Sequence, residues 1–225
     1  MLIARNMDFT SLGSAGSDSV LVRYKNFSSL TIPGLIGVVT GWNNSGLVGI
    51  VNVSHNQHKR DIHGTPVTFL ARSCLEDCES VAKVWNKYDA KELQPTASFH
   101  FTFADQNDCG CISFAQTTNN DDGIFRNPKQ LLIFNYTYTQ HVTDKNTADS
   151  CTREQCVTRF LADHATYQTP QDLLGLLKHP TLNVFDTLHS LVIDVTNNCA
   201  WISTNNCYAA DSHPSKVRMV VEDLK

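Results

Sequence analysis

Two apolar stretches, Leu35–Trp42 and Leu47–Val53, flank the polar tetrapeptide Asn43-Asn44-Ser45-Gly46. Asn and Gly tolerate the left-handed backbone of a tight reversal, so the pattern reads as a β-hairpin. Further strand signals follow. Phe99, Phe101 and Phe103 alternate with His100 and Thr102, the period of a half-buried strand. Asp105 to Gly110 then turns and Cys111–Ala115 returns. Leu131–Phe134 reads as a short central strand. Leu188 to Ser203 reads as a second hairpin, turning at Thr196-Asn197-Asn198.

Helix signals are fewer. Ser73 with Glu76 has capping-box spacing, and Leu75, Cys78, Ala82 and Trp85 follow at helical intervals. Thr152 with Gln155 repeats the spacing ahead of Cys156, Phe160 and Leu161. Thr169-Pro170 predicts an N-cap with proline at the first helical position. That helix carries Leu173, Leu174, Leu176 and Leu177 and ends at His179-Pro180. Hairpin-linked strands with segregated helices argue an α+β layered fold on antiparallel sheet.

Composition narrows the function classes. A chain of 225 residues, 41% apolar, is large enough for a real core in one domain or two small ones. Eighteen Lys and Arg against 22 Asp and Glu give a net charge of −4, which argues against a nucleic-acid partner. No apolar run approaches the ~20 residues of a membrane span. Met1-Leu2-Ile3-Ala4, followed at once by Arg5 and Asp8, does not read as a signal peptide. Four N-x-S/T sequons, at Asn26, Asn43, Asn52 and Asn135, keep a secretory or lysosomal origin open beside a cytoplasmic one. The eight cysteines fall in CxxxC, CxC and CxxxxC spacings and a wider pair. None has the CxxC spacing of a zinc ribbon, so no metal site is expected, and disulfide pairing stays open.

The chemistry-bearing residues gather in an ordered set of short elements. Arg5-Asn6-Met7-Asp8-Phe9 opens the chain. Arg5 and Asp8 stand three apart, on opposite faces of a regular strand unless it bends between them. Next come Ile32-Pro33-Gly34, Gly37, Thr40-Gly41, Asn43, Gly46-Leu47 and Asn52. His63-Gly64-Thr65-Pro66-Val67 and Leu70-Ala71-Arg72 follow, then Phe101-Thr102-Phe103-Ala104-Asp105 and Phe134-Asn135-Tyr136. Arg159-Phe160-Leu161, Thr169 to Leu177 and Thr187 to Asp194 complete the series. Together they resemble the choloylglycine-hydrolase, acid-ceramidase and penicillin acyltransferase group of N-terminal-nucleophile (Ntn) hydrolases. The acyl-CoA:6-aminopenicillanic acid acyltransferase-like (peptidase C45) proteins are the most similar subgroup.

The resemblance implies a single Ntn-hydrolase-like domain over residues 1–225, a four-layer αββα sandwich of antiparallel sheets. It implies attack on the amide C–N bond of a small N-acyl compound by an N-terminal cysteine through a thioester, with the α-amino group as base. No metal or organic cofactor is needed for this chemistry. By resemblance Arg5 sits beside the thiol, where a cation favours the thiolate. Asp8 accepts from the amino group or thiol, and Asn52 and Asn135 bind the developing oxyanion. Substrate choice falls to the loops Ser11–Asp18, His55–Ile62 and Asn119–Asn127.

One part of the pattern is not in the sequence. In the group the cysteine opens a strand that precedes the arginine strand, which takes roughly 12–16 residues. Met1 to Ala4 supply four, none of them a nucleophile. Cys111, after Gly110, lies downstream of the motif set and is a poor substitute. The chain is therefore expected to be a fragment lacking the first strand. The alternatives are an inactive pseudoenzyme and a ligand-binding α+β domain.

Overall fold

The computed structural model describes residues 1–9, 18–53, 63–114, 123–126, 145–164, 168–205 and 208–219. The chain begins with β1 (Leu2–Asp8), β2 (Val20–Arg23), β3 (Phe27–Thr31), β4 (Thr40–Asn43) and β5 (Val48–Val53). Helices α1 (Val67–Asp77) and α2 (Val81–Asp89) follow, then β6 (Phe99–Ala104), β7 (Cys109–Phe114) and β8 (Gly123–Arg126). Last come α3 (Lys145–Asp163), α4 (Pro170–Leu177), β9 (Thr187–Asp194), β10 (Cys199–Thr204) and β11 (Ser215–Arg218). The strands form two antiparallel sheets, ordered β1-β9-β10-β11 and β2-β3-β4-β5-β6-β7-β8. The α+β class expected from the sequence is the one observed. The strand expected at Leu131–Phe134 lies outside the described residues.

The chain divides into two compact units, one of Met1–Val22, Leu30–Leu35 and Thr152–Lys225, the other of Arg23–Ser29 and Ile36–Cys151. In the second unit, period-2 alternation splits the sheet into two kinds of face. Phe101 stands between Val51 and Ile112, and Phe99 between Val53 and Phe114. Val51, Phe99, Phe101, Phe103, Ile112 and Phe114 pack on Leu70, Leu75, Val84 and Trp85 of α1 and α2, while Val53, at the strand end, is exposed. Each buried phenylalanine contributes about 1.5–3 kcal/mol. The opposite face carries the rows Ile50–Thr102–Cys111 and Asn52–His100–Ser113. His100 and Ser113 are buried as well, so β6, expected to be half-buried, is covered on both sides.

The predicted hairpin forms with a shorter first arm. Strand begins only at Thr40, because Val38 is drawn instead to α1, its N–H donating to Thr68 O at 2.8 Å. Gly46 supplies the left-handed turn residue, at φ +85°. Gly41 is glycine for space: a Cβ there would lie 2.6 Å from Ser28 O.

The single helix expected from Ser73 through Trp85 is two helices. α1 starts at Val67, so Ser73 is internal and its hydroxyl donates to Asp77 Oδ2 at 3.1 Å. Asn43 Nδ2 donates to the carbonyls of Leu75 and Cys78 at 3.1 and 2.6 Å, closing the helix end. The Asp105 carboxylate then accepts from Val81 N–H at 2.9 Å and opens α2. Thr152 is likewise internal to α3, which begins at Lys145. The Thr169 N-cap is present as predicted. Its hydroxyl accepts from Asp172 N–H at 3.2 Å, while the Asp172 carboxylate accepts from Thr169 N–H at 2.8 Å.

In the first unit Leu173, Leu176 and Leu177 of α4 pack with Leu2, Ala4 and Val192. Asn6, on the same side of β1, donates to Leu177 O and Leu182 O at 3.0 and 2.9 Å. It thereby satisfies one carbonyl at the end of α4 and one in the segment that follows it. No helix among the described residues is long and apolar enough to cross a membrane.

Candidate active site

β1 and β9 hold the residues of the opening motif. Leu2 through Met7 pair regularly with Asp194 through His189, which sets Arg5 opposite Leu191 and Met7 opposite His189. The register then slips, and Asp8 stands opposite Thr187. Arg5 and His189 lie on the side of the sheet away from Ala4 and Asn6.

Arg5 is buried to 9% exposure. Burial lowers its guanidinium to about 10, against the opposing pull of the Asp8 charge. His189 is fully buried. Burial first, and the Arg5 cation second, push it down to about 3, so the ring is neutral at physiological pH. Asp8 Oδ1 accepts from the Thr187 hydroxyl at 2.6 Å, and Oδ2 pairs with the Arg153 guanidinium of α3. The electrostatic coupling of Arg5 and Asp8 therefore persists although Asp8 is held by other partners.

Asn52 lies half-buried on β5, in the second unit, directly opposite His100. Asn135 lies outside the described residues, as do most of the loops expected to set substrate choice. Cys111 is poorly placed for chemistry. Burial pushes Cys111 up to about 12, only partly offset by a hydrogen bond with Thr102. Cys74 is raised by its hydrogen bond with Cys78 and by burial, and Cys78 is lowered by the same bond. No group of three His, Cys, Asp or Glu among the described residues is placed to hold a metal.

Sequence reasoning singled out neither His189 nor Thr187 and Arg153. The signal for His189 was present: a lone imidazole inside the apolar alternation of Leu188 to Ile193 marks a buried polar group. Arg153 had no local signal, because it reaches Asp8 across 145 residues of chain.

The chain resembles three solved structures over nearly its whole length. Penicillin V acylase from Agrobacterium tumefaciens is 13% identical, with a TM-score of 0.66, the match covering 97% of this chain and 82% of that one. An N-acylethanolamine-hydrolyzing acid amidase ortholog from Caenorhabditis elegans is 15% identical, with a TM-score of 0.63 and coverage of 96% and 94%. A mutant conjugated bile acid hydrolase from Clostridium perfringens is 12% identical, with a TM-score of 0.60 and coverage of 97% and 88%. At such identities the likeness establishes the fold, and that fold is the Ntn-hydrolase fold. No curated protein matches in sequence. The family model for acyl-coenzyme A:6-aminopenicillanic acid acyl-transferase matches residues 1–207. That match runs from the strand carrying Arg5 and Asp8 through β10, and the chain belongs to the acyl-coenzyme A:6-aminopenicillanic acid acyl-transferase family.

Proposed function

We propose that this chain carries the framework of a cysteine-dependent amide hydrolase or acyltransferase acting on the C–N bond of a small N-acyl compound. The observation that carries the reading is the setting of Arg5: a buried guanidinium on β1, which ends its sheet among the described strands. Among the described strands β1 pairs only with β9, and we place a further antiparallel strand on its other side. A strand paired there and opening with cysteine supplies the nucleophile, encoded upstream of Met1.

The thiol gives its proton to the free α-amino group, whose ordinary pKa of about 7.7–8.0 suits that exchange. The sulfur attacks the amide carbonyl carbon, the C–N bond breaks, and the amine leaves with the proton. Water or a second amine then resolves the thioester. Arg5 favours the thiolate. The Asp8 carboxylate, already fixed by Thr187 and Arg153, keeps lone pairs for the amino group or thiol. Asn52 and Asn135 donate to the oxyanion, each contributing on the order of 3 kcal/mol of barrier lowering.

The test is to read the native transcript through its 5′ end and express the whole open reading frame. The reading expects an in-frame cysteine roughly 12–16 residues before Arg5 and amine release from N-acyl substrates that iodoacetamide abolishes. A stop codon directly before Met1 overturns catalysis and leaves a ligand-binding protein.

A further inference from the structure

His189 is a buried polar residue beside the Arg5 cation. Its ring is fully buried, and neither Nδ1 nor Nε2 has a hydrogen-bond partner among the described residues. A buried polar atom without a partner is costly, and most such atoms in folded proteins find one. Leu188 and Ser190 beside it on the strand are buried too, as is Leu191 two residues along on its own side, so burial at this position does not of itself call for an imidazole. What distinguishes the position is Arg5. Met7 stands directly opposite His189 and Arg5 two residues along on the same side, close enough for the guanidinium to act on the imidazole. A cation and a neutral ring with an unused N–H thus face one side of the sheet, one strand in from its end.

We propose that His189 contacts the ligand of the Arg5 site, its ring N–H donating to a small sulfur-centred anion, a thiolate or thiocarboxylate, that the Arg5 guanidinium holds. The inference rests on the reading of Arg5 as the cation of a thiol-dependent acyl-transfer site, and it adds a donor which that reading does not contain. The imidazole neither gains nor loses a proton. Burial and the adjacent cation both oppose a second positive charge, so the ring stays a neutral donor throughout the working pH range. A neutral imidazole in this role polarises the group it contacts without competing for its proton.

Thioacetate is a suitable probe because it joins an anionic sulfur to an acyl group. It is titrated into the chain labelled with [15N]histidine at pH 7, and the ring nitrogens are followed by NMR. The His189 signals are assigned by their loss in His189→Gln. The expected result is one protonated and one unprotonated ring nitrogen, with the protonated one shifting saturably. Affinity should fall by about tenfold or more in His189→Leu, and by no more than about threefold in His189→Gln, which keeps an N–H donor.

A ring that does not respond at saturating thioacetate overturns the proposal, as does a folded His189→Leu chain that binds as tightly as the wild type. Failure of the wild-type chain to bind thioacetate overturns it too. If His189→Leu does not fold, the ring response of the wild type still decides. Saturable thioacetate binding with the full ring response, combined with no amide cleavage by the complete open reading frame, sinks the catalytic reading and leaves the His189 contact standing.

Discussion

The hydroxyl of Thr187 donates to Asp8 Oδ1 at 2.6 Å at the point where the β1–β9 register slips. Thr187 Oγ1 also accepts from Val184 N–H at 3.0 Å. One hydroxyl therefore ties the segment before β9 to the carboxylate that ends β1. Thr187→Val keeps the shape and removes both bonds, leaving a part-buried N–H and a carboxylate oxygen short of a partner. The expected loss is about 1–3 kcal/mol in urea unfolding. An unchanged midpoint would mean that the hydroxyl does not hold Asp8.

Asn43 is a second such junction. Its Oδ1 accepts from Ser45 and Leu47 N–H in the hairpin, while Nδ2 donates to two carbonyls at the end of α1. Asn43→Asp keeps the size and the acceptor but turns a second oxygen toward those carbonyls. It should destabilise by about 3 kcal/mol or more, and by more than Asn43→Ala. The same geometry bears on the sequon. Expressed through a secretory pathway, the chain should carry no glycan at Asn43, and a glycopeptide from that site would contradict its burial.

His189 makes stability depend on pH with a definite sign. Its folded value of about 3 lies below the unfolded 6.5. Between the two, the unfolded chain binds a proton that the folded chain refuses. Stability is therefore full above about pH 6.5 and falls on acidification, by up to about 1.4 kcal/mol per pH unit from this residue alone. Carboxylates add their own slope, so the comparison is with His189→Gln, which should be flatter from pH 6.5 toward 3. Parallel curves for the two proteins would exclude a buried neutral ring.

Cys111 should be inert in the folded chain. Burial raises its thiol to about 12, so almost no thiolate exists at pH 8. Iodoacetamide under native conditions should leave the Cys111 peptide unmodified, and urea should expose it. Native labelling would reopen Cys111 as an internal nucleophile.

Gly41→Ala tests why the hairpin motif needs glycine. The added methyl would meet Ser28 O at 2.6 Å and Leu75 Cδ1 at 2.9 Å. One neighbour is backbone and cannot yield cheaply, so the cost should be about 1–3 kcal/mol by thermal or urea melting.

Much of the fold was legible because its signals are local. The turn at Asn43 to Gly46, the Thr169 cap and the alternation of Phe99 to Phe103 each act within a few residues. The split between α1 and α2 was not legible, since it depends on Asn43 and Asp105 reaching in from other elements. Ser73 and Thr152 had the spacing of caps but lie inside helices that begin several residues earlier. Of the site, Arg5 and Asp8 were legible from their motif. Their environment was not: the Arg153 and Thr187 contacts and the orphaned His189 ring arise only when distant strands and helices meet.

The seven-stranded sheet has a further consequence for variation within such a chain. Its phenylalanine face, locked against α1 and α2, carries the packing. Its other face carries Asn52, His100, Thr102 and Ser113 in neighbouring rows. Side chains alternate along each strand, so a substitution at His100 or Ser113 leaves the aromatic layer behind it intact. Such a sheet separates the layer that holds the backbone together from the face whose polar residues can vary, so relatives with little sequence in common can retain one backbone.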